Sequence, residues 1–222
     1  MKRTVLITGG ARGIGAAIAE QFRQQGHDVF KPSREELDLA KPESLDAFIS
    51  REISRPIDVL VNNAGINILN PIHALDGAAW QTMLQVNLTS PVRLTQALLP
   101  GMQARQWGRV LNVSSIFSLV TREKRAAYSM TKAALNAFTR SLTVEYGPAG
   151  ILANTLCPGY VDSALTRQNN SPRELEAIAA SIPLRRLALP EEIARVACFL
   201  CSDENTYITG QEIVADGGFL CQ

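Results

Sequence analysis

The chain has 222 residues, with 22 Lys and Arg against 21 Asp and Glu, a formal net charge of +1, and 46% apolar residues. That apolar share is globular rather than disordered, and at this length one core buries roughly 70% of the unfolded surface, so one domain over residues 1–222 is expected. Balanced charge speaks against a nucleic-acid binder, which carries a basic stripe, and no apolar run is long enough to span a membrane. Met1-Lys2-Arg3 imitates the head of a signal peptide, but only Val5-Leu6-Ile7 follows before Gly9-Gly10, with no cleavage pattern, and a cytoplasmic protein is expected.

Thr4 to Ile7 reads as a buried strand, and Ile14 to Gln25 as a helix with Ile14, Ile18 and Phe22 on one face, stopped by Gly26. Val29-Phe30 begins a second strand, Pro42-Glu43 opens a helix, and Ile57 to Val61 is a strand. Two helical stretches follow, Ala78 to Leu88 and Pro91 to Arg105, the second with Ser90 as N-cap and Pro91 at its first position. Arg109 to Val113 is a strand, and Ala126 to Tyr146 a long helix ended by Gly147-Pro148. Ile151 to Leu156 is a strand, Pro190 to Cys201 a helix and Gln211 to Val214 the last strand. This alternation predicts an α/β fold with a doubly wound parallel sheet, Rossmann-type, whose ligands bind beyond the carboxyl ends of the strands. Cys198 and Cys201 have redox or metal spacing, yet they fall inside a helical pattern without a second ligand pair. They read as buried thiols, and metal catalysis is not expected.

Thr8-Gly9-Gly10-Ala11-Arg12-Gly13-Ile14-Gly15 follows the first strand and opens the first helix. Glycines there let the backbone turn sharply and approach a pyrophosphate, whose charge meets the helix N-terminus. No Gly-Lys-Ser/Thr follows, so it is not a Walker loop. The spacing Thr-Gly-x3-Gly-x-Gly resembles the short-chain dehydrogenase/reductase family, and further motifs follow in that family's order. They are Asn62-Asn63-Ala64-Gly65 after a strand, Asn87 in Val86-Asn87-Leu88, Ser114-Ser115 ending a strand, Tyr128-x3-Lys132, and Cys157-Pro158-Gly159-Tyr160-Val161. The tail, from Pro190-Glu191-Glu192 through Tyr207-Ile208-Thr209-Gly210-Gln211 to Asp216-Gly217-Gly218, is similar to the 3-oxoacyl-[acyl-carrier-protein] reductase-like branch.

The resemblance implies a nicotinamide cofactor held by Gly9, Arg12, Gly13, Ile14, Gly15, Asn63, Ala64, Gly65, Tyr128, Lys132, Pro158, Gly159 and Val161. At the end of the second strand an acidic residue selects NAD by accepting from the ribose 2′-hydroxyl. Counting from Gly26, that place falls on Ser33, followed by Arg34, and a hydroxyl with a guanidinium suits a 2′-phosphate. With Arg12 as a second cation, NADP(H) is favoured over NAD(H). Between Arg34 and Leu45 the chain is too short for the helix and strand that the family inserts here. Leu37-Asp38-Leu39 is expected to supply a stub of that strand, with Asp38 and Leu39 flanking the adenine.

Tyr128 and Lys132 are four apart in a helix and share a face, so an ammonium can stabilise a phenolate. The resemblance implies that Ser115 holds a substrate carbonyl oxygen, Tyr128 is the general acid/base, and Lys132 with Asn87, through a water, returns the proton. Ser114 should point to the other side of the extended chain. The implied activity is ketone reduction or secondary-alcohol oxidation by an NADPH-dependent enzyme. Reduction of an acyl-carrier-protein thioester is the narrower alternative, with Arg105, Arg109 and the charged run Arg122-Glu123-Lys124-Arg125 able to face an acidic carrier. The charged run reads as a solvated turn or subunit contact, or else as a site for an anionic substrate group. A non-catalytic NADP-binding sensor is the alternative from another class. Asp162 to Ser181, with a loop at Asn169-Asn170-Ser171-Pro172, reads as a lid over the substrate. The resemblance also implies a homotetramer or dimer formed through the two long helices, with the apolar C-terminus at a second interface.

Overall fold

In the computed structural model, which describes residues 1–52 and 54–221, the strands carry apolar side chains toward both faces of one sheet. Strand β1 is Thr4–Ile7, β2 Asp28–Phe30, β3 Val59–Asn62, β4 Gly108–Val113, β5 Ile151–Pro158 and β6 Glu212–Ala215. They form a six-stranded parallel sheet in the order β2-β1-β3-β4-β5-β6. Val5, Ile7, Val59, Val61, Leu111 and Val113 point to one face, and Leu6, Leu60 and Val110 to the other, as the two-residue period of a strand requires. Helices α1 (Gly13–Gln24) and α8 (Pro190–Cys201) cover the first face through Ile18, Phe22, Ile193 and Ala197. Helices α2 (Pro42–Glu52), α4 (Ser90–Ala104) and α5 (Ala126–Tyr146) cover the second through Phe48, Leu94, Met102 and Leu142. With helices on both faces, β3 and β4 are buried along their whole length, which only a doubly covered sheet produces. Cys198 and Cys201 lie in the first of these cores, where burial pushes the Cys198 thiol up to about 12 and Cys201 upward too.

Two local expectations are corrected, and a third stretch gains detail. Ser90 is not an N-cap. Helix α3 (Gly77–Leu84) runs through a π turn at Gln85–Thr89 straight into α4, and Leu84, Thr89 and Ser90 all have helical backbone angles. The wide turn closes by a bond from the Ser90 N–H to the Gln85 carbonyl, just before Pro91, which has no N–H to continue the ladder. The Ser90 hydroxyl instead donates to the Leu39 carbonyl at 2.8 Å. Leu37-Asp38-Leu39 forms no strand. Leu37 and Leu39 are buried in the second core, and Asp38 takes the Ser44 hydroxyl on its N–H, so the segment is pinned by side chains rather than by a ladder. The edge of the sheet is therefore the three-residue β2. Lastly, the stretch after Asp162 is built of helices α6 (Ala164–Gln168) and α7 (Pro172–Ser181) around the expected loop. Ser171 and Glu174 make a reciprocal capping box on α7, a signal present in the sequence as Ser-Pro-x-Glu.

A buried polar chain locks α5 to the sheet. Asn62 donates to Asn112 at 2.8 Å, and Asn112 donates to Thr139 of α5 at 2.8 Å. Hydrogen-bonded amides in a dry interior are directional, so they set the height of α5 against the strand ends. Among the described residues no helix is long and apolar enough to cross a membrane.

Candidate active site

Beyond the carboxyl ends of β1, β3, β4 and β5 lies a cavity of about 510 Å3, and every cofactor-side residue singled out in the sequence lines it. Its floor begins at the glycine loop. Gly9 and Gly13 have φ of +65° and +55°, angles that side-chain-bearing residues rarely adopt. A Cβ on Gly15 would come within 2.4 Å of both the Asn63 side chain and the Gly9 carbonyl. The loop thus folds back on itself against Asn63, whose amide donates to the carbonyls of Thr8 and Gly9 at 3.0 and 3.2 Å. Thr8 returns the contact, its hydroxyl accepting from the N–H groups of Asn63 and Ala64 at 3.1 Å each. This clasp between two strand-end loops was not visible from spacing alone, although Thr8 stands in the motif. The N-terminus of α1 meets the cavity with no side-chain cap and no acidic residue in its first turn. An uncapped helix end with closely approachable backbone fits a pyrophosphate.

Further along the cavity stand the catalytic candidates. Ser115 ends the segment after β4, its hydroxyl accepts from the Phe117 N–H at 3.1 Å, and it lines the cavity together with Tyr128. Tyr128 is buried on the first turn of α5 and faces the cavity with Lys132, one turn later, behind it. The Lys132 ammonium donates to the Val113 carbonyl at 2.7 Å and lies 5.8 Å from the Tyr128 ring centre. Ser114 points away from Ser115, as expected, and donates to the Lys132 carbonyl at 3.2 Å. Asn87 is fully buried within the π turn and does not line the cavity. Its amide bonds the N–H and carbonyl of Ile66, both at 2.9 Å, and the Thr131 hydroxyl at 3.2 Å. Gly65 lies between it and Lys132, since a Cβ there would be 3.4 Å from the Lys132 ammonium and 3.5 Å from the Asn87 Oδ1.

The electrostatics refine the expected phenolate. Burial raises the Tyr128 pKa, while Ser115 and Arg125 pull the other way. The phenol is therefore protonated at neutral pH, poised to give a proton. Burial lowers Lys132 to about 8. The ammonium is charged below that pH and neutral above it, so its capacity to donate falls as pH rises through about 8. Carbon-13 NMR of the lysine Cε is expected to show Lys132, identified by its loss in Lys132→Met, titrating near pH 8 in the cofactor-free protein. A midpoint close to 10.4, that of a free lysine, would contradict the burial described.

A family model described as enoyl-(acyl carrier protein) reductase matches residues 32–220. An acetoacetyl-CoA reductase of Shinella zoogloeoides is 37% identical over 237 residues, covering 98% of each chain. The chain belongs to the short-chain dehydrogenase/reductase family. A 3-oxoacyl-[acyl-carrier-protein] reductase of Vibrio cholerae is 33% identical over 236 residues, covering 97% of this chain and 96% of that one. Among solved structures, a gluconate 5-dehydrogenase from Burkholderia cenocepacia in complex with NADP and tartrate superposes with a TM-score of 0.89. It is 28% identical, covering 100% of this chain and 97% of that one.

Within this short-chain dehydrogenase/reductase the remaining candidates separate. Ser33 and Arg34 border the end of the cavity beyond β2. Ser33 caps its own turn, its hydroxyl accepting from the Glu36 N–H, and Arg34 is mostly exposed with its Nε 3.5 Å from Asp38. Arg105 and Arg109 stand at the other end of the sheet, at the start of β4. Arg105 is held by Asp58 and the Ile57 carbonyl, and Arg109 is buried on the carbonyls of Gly108, Gly150 and Asn205. Neither can present charge beside the cavity. The charged run divides: Glu123 and Lys124 are exposed, Arg122 donates to the Tyr160 hydroxyl at 2.7 Å, and Arg125 turns inward.

Proposed function

We propose that the protein is an NADPH-dependent carbonyl reductase, acting in the opposite direction as a secondary-alcohol dehydrogenase. One observation carries the reading. Ser115 and Tyr128, backed by Lys132, line the same cavity as the glycine loop. The cofactor, when bound, supplies hydride to the carbonyl carbon. Ser115 and Tyr128 orient the carbonyl oxygen, and Tyr128 gives up its proton as negative charge builds there. Lys132, a buried ammonium near its pKa at neutral pH, replenishes that proton. Asn87 holds the Gly65-Ile66 backbone over Lys132 and so keeps the relay and the cofactor floor in register.

NADP(H) is the cofactor that suits the adenine end. Arg12 and Arg34 border it, and no carboxylate occupies the position of Ser33. The NADP-bound relative supports the same choice. Relatives named for acetoacetyl-CoA and for acyl carrier protein keep thioesters among the substrates to be tested, although Arg105 and Arg109 lend the carrier no docking surface. The test is a panel of ketones, including acetoacetyl thioesters and sugar ketones, followed by cofactor oxidation. NADPH is expected to be preferred, and Arg34→Glu to lower the NADPH:NADH ratio of kcat/KM by about 10-fold through loss of a phosphate-facing cation. Tight NADPH binding without turnover of any ketone would instead leave a non-catalytic sensor.

A further inference from the structure

Arg125 immediately precedes α5 and is only 6% exposed, yet no carboxylate lies within salt-bridge distance of it among the described residues. Its guanidinium stands 4.6 Å over the Phe117 ring and forms part of the cavity wall three residues before Tyr128. An arginine stays charged in any protein, and a buried cation held only by a ring face is poorly compensated. Among the described residues the other buried arginine, Arg109, donates to three carbonyls through its terminal nitrogens, while its Nε has no partner. Arg125 differs from it in that its charge borders open space.

The walls around it have matching chemistry. Tyr160 lines the cavity and packs edge-on to Phe117, 6.0 Å between ring centres. Its oxygen accepts from Arg122 at 2.7 Å, which leaves its own hydroxyl hydrogen free to donate. Asn67 is 7% exposed in the same cavity wall, and its buried Oδ1 has no hydrogen-bond partner among the described residues. A cation without an anion thus borders the cavity that Ser115 and Tyr128 also line, with Phe117 and Tyr160 beside it.

We infer that Arg125 is a specificity-determining residue that binds a free carboxylate on the ketone, so that the substrates are small oxo acids reduced to hydroxy acids. The inference rests on the ketone-reductase reading above and narrows its substrate class. A single unpaired guanidinium matches one negative charge and the two oxygens of a carboxylate. The carboxylate passes through unchanged: the carbonyl carbon receives hydride from NADPH, its oxygen receives the Tyr128 proton, and NADP+ and the hydroxy acid leave.

The experiment compares acetoacetate, 4-oxopentanoate and 5-oxohexanoate with their methyl esters, using NADPH as reductant. Wild-type enzyme should favour the acid over its ester at one chain length at least. Arg125→Met should lower that acid:ester ratio of kcat/KM about 100-fold, because a charge then enters the cavity unpaired, and Arg125→Lys should recover part of it. Dihydroxyacetone phosphate serves as a second anion: a preference for it over every oxo acid would overturn the carboxylate assignment. Esters reduced as well as acids at every length, or equal losses on both in Arg125→Met, would also overturn it and leave Arg125 as a charge acting on Tyr128 alone. If no ketone is reduced, the ketone-reductase reading fails separately. Calorimetric titration of the same acids into the NADP+-loaded protein then decides: binding abolished in Arg125→Met upholds the anion site, and no binding to wild type overturns it.

Discussion

Replacing Tyr128 by phenylalanine is expected to slow ketone reduction by about three to four orders of magnitude, the scale of a lost general acid. The variant should fold. The Tyr128 ring packs with Met83, Ile116 and Tyr160, and Phe keeps that contact while removing only the hydroxyl. The Ser115 hydroxyl borders the cavity and can turn to a substrate or water there. NADPH binding, followed by quenching of protein fluorescence, should weaken by no more than a few-fold, because the glycine loop, the Thr8–Asn63 clasp and Lys132 are untouched. Turnover within 10-fold of wild type would remove Tyr128 from the proton-transfer role, since one acid-base group is worth at least about 100-fold.

Gly15→Ala should have a second large effect, on binding and stability together. The added methyl would sit 2.4 Å from the Gly9 carbonyl and from the Asn63 side chain, and the first of these is backbone. Relief requires either the glycine loop to open or Asn63 to release Thr8 and Gly9. Both routes disturb the surface that faces a pyrophosphate. Overpacking of this kind costs roughly 1–3 kcal/mol, and the midpoint of thermal unfolding should fall accordingly. NADPH affinity is expected to drop by about 100-fold, since a cradle built from backbone N–H groups tolerates little displacement. Gly77→Ala is the matched control, a helix-start glycine with open space where its Cβ would be. Equal NADPH affinity in Gly15→Ala and wild type would show that the dinucleotide does not lie on this loop.

Much of the site could be read from local sequence because its parts are local. Tyr128 and Lys132 share a face through the four-residue helical repeat, and the glycine loop is contiguous with the strand and helix that frame it. The alternation of short strand runs with longer helical patterns likewise identified a sheet covered on both faces, and the ranges of α5 and α8 follow from their flanking glycine and proline. Where two signals had the same local appearance, sequence chose wrongly. Ser90-Pro91 has the form of a helix start, yet it lies inside a continuous helix, because a π turn supplies the missing N–H position and Ser90 is claimed by Leu39, 51 residues away. Leu37 and Leu39 alternate like a strand, but no neighbouring strand extends far enough to pair with them.

The charges divide along the same line. By itself the sequence determined a near-neutral chain with a doubly wound sheet, a glycine loop and a helix face shared by Tyr128 and Lys132, since propensity, periodicity and adjacency suffice for these, while Ser115 joined them only through the family resemblance. Tertiary structure alone decided among the remaining cations. Arg105, Arg109, Arg122 and Arg125 are equivalent as letters, yet two are held at the far end of the sheet, one braces Tyr160, and Arg125 alone among them enters the cavity wall. Burial and the distance to a counter-ion determine what a charge can do, and both depend on contacts between segments that the chain brings together only when it closes.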